Sequence, residues 1–416
     1  MILLLAGRCS LGQAMAHSMD DMQPVPPPEQ LAVPIRMQGI GNSHIEVKAS
    51  PEVQAWFDQG LSLLHDFWDN ESAKAFEQAI RLDPNCAMCW WGLANAERFR
   101  EIDGHYYSNR AVAEAVRLKS HADGAGKLYI EALAAQYASD SDENPQEVAI
   151  LRKLVKKYPK DIEARIFLAE AVGDGFDDAG EPKAGQKEKI AILEGVLRDA
   201  PNDSAANHYW IHAIEPGNHP ERALKSAALL ASLAPTSGHM VHMPGHIYYR
   251  VGDYAEAEHW FRESMVADER YMREQHVSPD DDWNYVHNMM YAIANLMEQG
   301  KLEAANDLSD RLAGARGRLS ASLYIWSARP DGAHQLSSSG GAARRRLERG
   351  ADNAGPGQHS GSGQDFQPPL SRYRAERLRE RDESAGGERC GRCTSRVRPH
   401  GCGAVAHATR SGCKQG

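Results

Sequence analysis

Histidines at helical spacing dominate the middle of the chain. "GHMVHMPGHIYYR" (238–250) sets His239, His242 and His246 three and four residues apart. "NHYWIHAIE" (207–215) sets His208, His212 and Glu215 four and three apart. On an α-helix both spacings form a single stripe, with neighbouring Cβ atoms roughly 5–6 Å apart. Neutral imidazole is a donor suited to zinc and copper, so the two stripes could hold a transition metal through His208, His212, His242 and His246. Glu215 would then orient a ligand or act as a general base, and Met240, Met243, Met289 and Met290 nearby would suit reduced copper. No H-E-x-x-H pattern accompanies them, and histidines so spaced also serve as polar groove lining or as spacers between helices. Pro244 adds a constraint, since proline inside a helix removes a hydrogen bond and clashes with the preceding turn. A helix starting near Val241 would leave His239 on the connecting loop.

The elements that carry these residues read as short helices. In "SPEVQAWFDQGLSLLHDFWDNESAKAFEQAIRLDPN" Ser50 can cap and Pro51 can open a first helix with Trp56, Leu63 and Leu64 at helical spacing. Asp69-Asn70 breaks it, and a second helix carries Ala73, Phe76, Ala79 and Ile80 up to Asp83-Pro84. The unit resembles a tetratricopeptide repeat, matching that family at Trp56, Gly60, Phe76, Ala79 and Pro84, with Ser72 at its usual small position. "IYYRVGDYAEAEHWFRESM" repeats the register with Gly245, Tyr248, Gly252, Tyr254, Ala257 and Phe261, and "LMEQGKLEAANDLSDRL" repeats half of it with Gly300 and Ala305. Weaker units close at "VKKYPKD", "VLRDAPND" and "ASLAPTSG", while 103–145 and 171–187 depart from the period. The resemblance implies an all-α fold, a right-handed α-solenoid of roughly five to seven stacked helix pairs over residues 51–327.

In that family the second, fifth and ninth residues of each first helix line a concave groove. Counted from Pro201, His208 and His212 take the fifth and ninth places; counted from Pro235, His239, His242 and His246 take the second, fifth and ninth. The resemblance therefore sends both sets into one groove from helices roughly 10 Å apart. His65, Tyr249 and His287 extend the candidate groove set, which comprises His65, His208, His212, Glu215, His239, His242, His246, Tyr249 and His287. The leading expectation is a non-enzymatic scaffold that binds a protein or peptide there. The alternative is a zinc- or copper-binding protein, or a metalloenzyme, that uses the histidines.

Nothing else in the chain offers a stronger chemistry. There is no G-x-S-x-G elbow and no phosphate-binding glycine loop, so no residue is assigned a catalytic role. Cys86 and Cys89 form a C-x-x-C at a helix start, which reads as a redox or metal pair or as two small buried residues at a repeat junction. A second C-x-x-C lies far away at Cys390 and Cys393. Asp280, Asp281 and Asp282 read as a solvated loop or a helix cap.

Composition bounds the class. The net charge of −10 argues against nucleic acid as a partner. It divides unevenly: residues 328–416 hold 16 Lys+Arg against 9 Asp+Glu, and the remainder holds 31 against 48. No later stretch reaches the roughly 18 apolar residues of a membrane span. Residues 1–16 read as a signal peptide or its remnant, with Ala14-Met15-Ala16 as cleavage site but no basic n-region. The protein is therefore expected to be exported, periplasmic or extracellular, and cytoplasmic if this start is no signal. Cleavage there would leave His17 first, a possible copper chelator with Met19 and Met22. Residues 17–50 read as an extended, proline-rich leader, expected to be disordered. Residues 328–416, rich in Arg, Gly and Ser, read as a disordered tail whose abrupt onset fits a frameshift.

Overall fold

A computed structural model of the chain describes residues 26–315 except 101–105, 140–143 and 280–281. The proposed signal segment, His17, the 328–416 tail with Cys390 and Cys393, and Asp280 and Asp281 lie outside the described residues.

The described residues hold fourteen α-helices: α1 Pro51–His65, α2 Asp69–Leu82, α3 Ala87–Arg100, α4 Tyr106–Leu118, α5 Gly124–Tyr137, α6 Pro145–Lys157, α7 Ile162–Val172, α8 Ala184–Asp199, α9 Ser204–Ile214, α10 Leu224–Leu233, α11 Gly238–Arg250, α12 Tyr254–Gln275, α13 Trp283–Glu298 and α14 Leu302–Gly314. Among the described residues β structure is confined to one isolated bridge between Phe176 and Pro182. It lies in the 171–187 insertion.

Side chains set the starts of these helices. Ser50 Oγ accepts from the Val53 amide with Pro51 in the first turn. Asp123, Asn144, Asp161, Asp203, Asp253 and Asp282 cap α5, α6, α7, α9, α12 and α13 in the same way. Each satisfies a first-turn N–H that the helix itself cannot. Asp282 is thus the helix cap that the acidic run allowed. Consecutive helices pack on one another along the chain, α1 on α2 through α13 on α14.

Small residues let the paired helices approach. A Cβ on Gly92 would sit 2.2 Å from the Phe76 ring, and one on Gly60 would sit 2.9 Å from it. Phe76 is fully buried, with Phe57 edge-on at 5.4 Å.

Two features differ from the sequence reading. Residues 26–50, expected as part of a disordered leader, pack along the helices, with Leu31, Ile40, Ile45 and Val47 buried. Their backbone is tied down: Gln59 Nε2 donates to the Ile35 carbonyl, the Thr236 amide donates to the Gly39 carbonyl, and the Asn42 amide donates to Ser204 Oγ. Apolar residues at irregular spacing are buried here by neighbouring helices, so no local periodicity announces them. The second difference is in α11. It starts at Gly238 and runs straight through Pro244, so His239 lies in its first turn and not on a loop.

The α1–α2 connection also folds inward. Phe67 takes a left-handed backbone (φ 60°), and the amides of Phe67 and Trp68 donate back to Leu64 and Leu63. The turn drives Phe67 against His208, Tyr209, His212 and His239 at 4.7–5.9 Å between ring centroids. Trp68 packs edge-on against Tyr271 of α12 at 4.4 Å. The first helix pair therefore covers the histidines of α9 and α11.

Gly92→Ala is expected to lower stability by about 1–3 kcal/mol through overpacking against Phe76. Phe76→Leu in the Gly92→Ala background should recover part of that loss. Urea unfolding of the four proteins in the cycle measures the coupling, and additive losses would refute the close approach.

Candidate metal centre

Six histidines from three helices meet in the interior. α9 supplies His208 and His212, α11 supplies His239, His242 and His246, and α13 supplies His287. All are buried, from 0% exposed for His208 and His242 to 9% for His287. They divide into two groups of three, His208/His212/His239 and His242/His246/His287, and in each group one nitrogen per ring lies within 4.8 Å of the other two. The sequence reading placed His208, His212, His242 and His246 around one ion. The structure instead splits these four between two triads and adds His239 and His287. The division follows from geometry, because i,i+4 pairs converge along one helix more closely than rings on neighbouring helices do.

The outer nitrogens have fixed partners. His208 Nδ1 donates to the His65 carbonyl at 2.7 Å. His242 Nδ1 donates to Asn288 Oδ1 at 2.7 Å, and that amide is oriented by its own Nδ2, which donates to the Phe261 carbonyl. His246 Nδ1 donates to Glu215 Oε1 at 2.8 Å. His239 Nδ1 donates to Asn284 Oδ1 at 3.2 Å, while Asn284 Nδ2 donates to the Asp268 carboxyl. With the proton on Nδ1, the lone pair of each of these four rings lies on Nε2. Such support from a carbonyl, amide or carboxylate is what fixes the tautomer and orientation of metal-binding histidines.

The inner nitrogens face one another. His246 Nε2 and His242 Nε2 are 2.5 Å apart, and His212 Nε2 and His208 Nε2 are 3.0 Å apart. His239 Nε2 is buried and has no hydrogen-bond partner among the described residues. Burial first, then neighbouring imidazoles, hold the pKa values of His239, His242 and His287 well below the ordinary histidine value, so these rings are neutral. Opposing contributions act on Glu215. Burial pushes its carboxyl up, but His246 and Arg250 outweigh that and leave it below the usual carboxylate range.

The remaining candidates sit outside the triads. His65 is buried with Nε2 2.8 Å from Glu163 and Nδ1 3.2 Å from the Tyr209 hydroxyl, and it reaches the cluster only through its main-chain carbonyl. Glu215 lies just past the end of α9 and accepts from His246 Nδ1. Tyr249 is half-buried and packs on Tyr254 at 5.5 Å. Cys86 and Cys89 are joined in a disulfide and both are buried, far along the chain from the histidines.

Sequence reasoning missed Asn284, Asn288, Asp268 and Phe67. The two asparagines flank His287 at i,i+4 spacing, a legible signal once α13 is known to pack on α11. Asp268 and Phe67 carried none, because their positions depend on contacts far apart in sequence. A Cβ on Gly238 would meet Asp268 Oδ1 at 1.6 Å and Asn284 Nδ2 at 2.7 Å, so only glycine lets that support reach the start of α11.

No family model matches the chain, and no curated protein is similar to it.

The acidic residues behind the site make a pH test possible. Burial, with Glu71 adding to it, raises the Asp282 pKa from 3.8 to about 7. A raised carboxyl pKa means that Asp282 supports the fold fully below its unfolded value and loses that support as pH rises through about 7. Asp282→Asn keeps the cap acceptor without the charge. It should raise the thermal midpoint relative to wild type at pH 8 by a few degrees, with a clearly smaller gap at pH 5. An equal gap at both pH values would refute this.

Proposed function

We propose that the chain is a transition-metal-binding protein that holds copper or zinc on His208, His212 and His239 and on His242, His246 and His287. The observation that carries this reading is the facing pair His242 and His246. Both rings have Nδ1 committed to an acceptor, which leaves two lone pairs 2.5 Å apart. Two such nitrogens repel unless a cation lies between or beside them. A proton would need only two nitrogens, whereas a third converging imidazole and a second triad beside the first suit a metal ion. The all-imidazole donor set favours copper and zinc over harder ions such as magnesium or calcium.

A protein or peptide as groove ligand finds less support. Every one of the six rings is buried, and Phe67 covers the faces of three of them. The metal would be carried on tetratricopeptide-like helix pairs, a reading supported by the glycine and phenylalanine contacts of α1–α3. Export to an oxidising compartment is supported by the Cys86–Cys89 disulfide.

Protein purified without a tag, exposed to copper or zinc and freed of excess, should retain at least about one ion per chain. Less than about 0.2 after both exposures would overturn the reading. His246→Ala should remove the metal of its own triad without loss of helical circular dichroism. Glu215→Gln should weaken affinity about 10–100-fold, as loss of a supporting carboxylate does.

A further inference from the structure

The two triads are close enough to act together. Ring centroids across the boundary lie 5.9 Å apart for His239 and His242, 6.0 Å for His239 and His287 and 6.4 Å for His212 and His246. Spacings inside the triads reach the same range, at 6.0 Å for His212 and His239 and 6.2 Å for His246 and His287. One ion in each triad would therefore have the other as its neighbour across a single layer of imidazoles, the arrangement in which two metals can share a small ligand.

We infer that the six histidines form a dinuclear copper centre that takes up dioxygen between its two ions, an inference that rests on the metal-binding reading above. Three imidazoles satisfy copper(I), which accepts three-coordination, and leave a position open on each ion. Charge also selects copper(I). His246 meets one carboxylate, Glu215, while Asp268 reaches His239 through Asn284. Two zinc ions would bring four positive charges into this interior and two copper(I) ions bring two, so the desolvation cost is far lower for copper(I). Aromatic rings enclose the rest: Phe67 and Trp283 lie against His239, at 5.3 and 5.2 Å, and Phe261 and Tyr291 lie against His242, both at 5.0 Å. These walls exclude water from a reduced centre.

The step balances within the site. Each copper(I) gives one electron to dioxygen and forms one copper–oxygen bond, so dioxygen becomes a bound peroxide and both ions become copper(II). The O–O single bond remains and no proton is needed. Four positive charges on the metals and two negative charges on peroxide leave the buried net charge unchanged, which makes the step feasible in a dry interior.

The test uses the full chain loaded anaerobically with copper(I), freed of excess and titrated with dioxygen. About two copper ions per chain are expected, with one dioxygen taken up per two copper ions on an oxygen electrode. An intense near-ultraviolet charge-transfer band should appear and fade on purging, with no electron paramagnetic resonance signal from the coupled copper(II) pair. His287→Gln should retain about one copper and its circular dichroism while losing the band and the uptake. His212→Gln provides the same readout from the other triad should His287→Gln fail to fold. About one copper per chain in the wild type, two copper ions without uptake, or a mononuclear copper(II) signal after oxygenation would each overturn the dinuclear centre while leaving metal binding intact. Failure to retain either copper or zinc would overturn both readings.

Discussion

Six imidazoles share a space closed to water, and the rest of the site follows from that constraint. A buried polar nitrogen left without a partner costs free energy comparable to a lost hydrogen bond. The protein answers this on the outer side of four rings with acceptors that cannot turn away: a main-chain carbonyl from His65, two amides pinned by their own second bonds, and one carboxylate. The inner side is left to the rings themselves. Satisfying Nδ1 from behind therefore turns the Nε2 of each of these four rings inward, and the two halves of the arrangement are one physical fact.

That arrangement draws on distant parts of the chain. α11 lies between α9 and α13 and contacts both, so its three histidines can complete a pair from one neighbour and accept a single ring from the other. The cover comes from the opposite end of the described residues, where Phe67 closes over α9 and α11. Residues 38–42 bind the turns before those helices through Thr236 and Ser204. Burial of the histidines thus depends on long-range packing, not on the helices that bear them.

How far the site was legible follows from the same division. Helical spacing alone put His208 with His212 and His242 with His246, because i,i+4 geometry is local. Caps at Ser50, Asp282 and the prolines that close each unit were legible for the same reason. The repeat resemblance sent α9 and α11 toward a common face. What it could not convey was burial. An open groove was the expectation, and Phe67, at a backbone conformation few non-glycine residues adopt, fills the space against His208, His212 and His239. The leader was misread on composition, since Ile40 and Ile45 are buried by partners that its proline-rich sequence does not show.

Pro244 raises a question that the packing answers. A proline in a helix interior ordinarily costs about 3 kcal/mol through the lost hydrogen bond and the clash with the preceding turn. In α11 it sits between His242 and His246, the pair whose spacing matters most, yet the helix continues to Arg250. Met240, Met243 and Ile247 on the same helix are fully buried, and α10 and α12 flank it. Apolar burial on that scale, about 1.5–3 kcal/mol per large side chain, offsets the backbone defect. The histidines and the apolar anchors therefore occupy adjacent faces of one helix, about 100° apart, and the methionines and isoleucine hold the helix in place while the imidazoles meet those of α9 and α13.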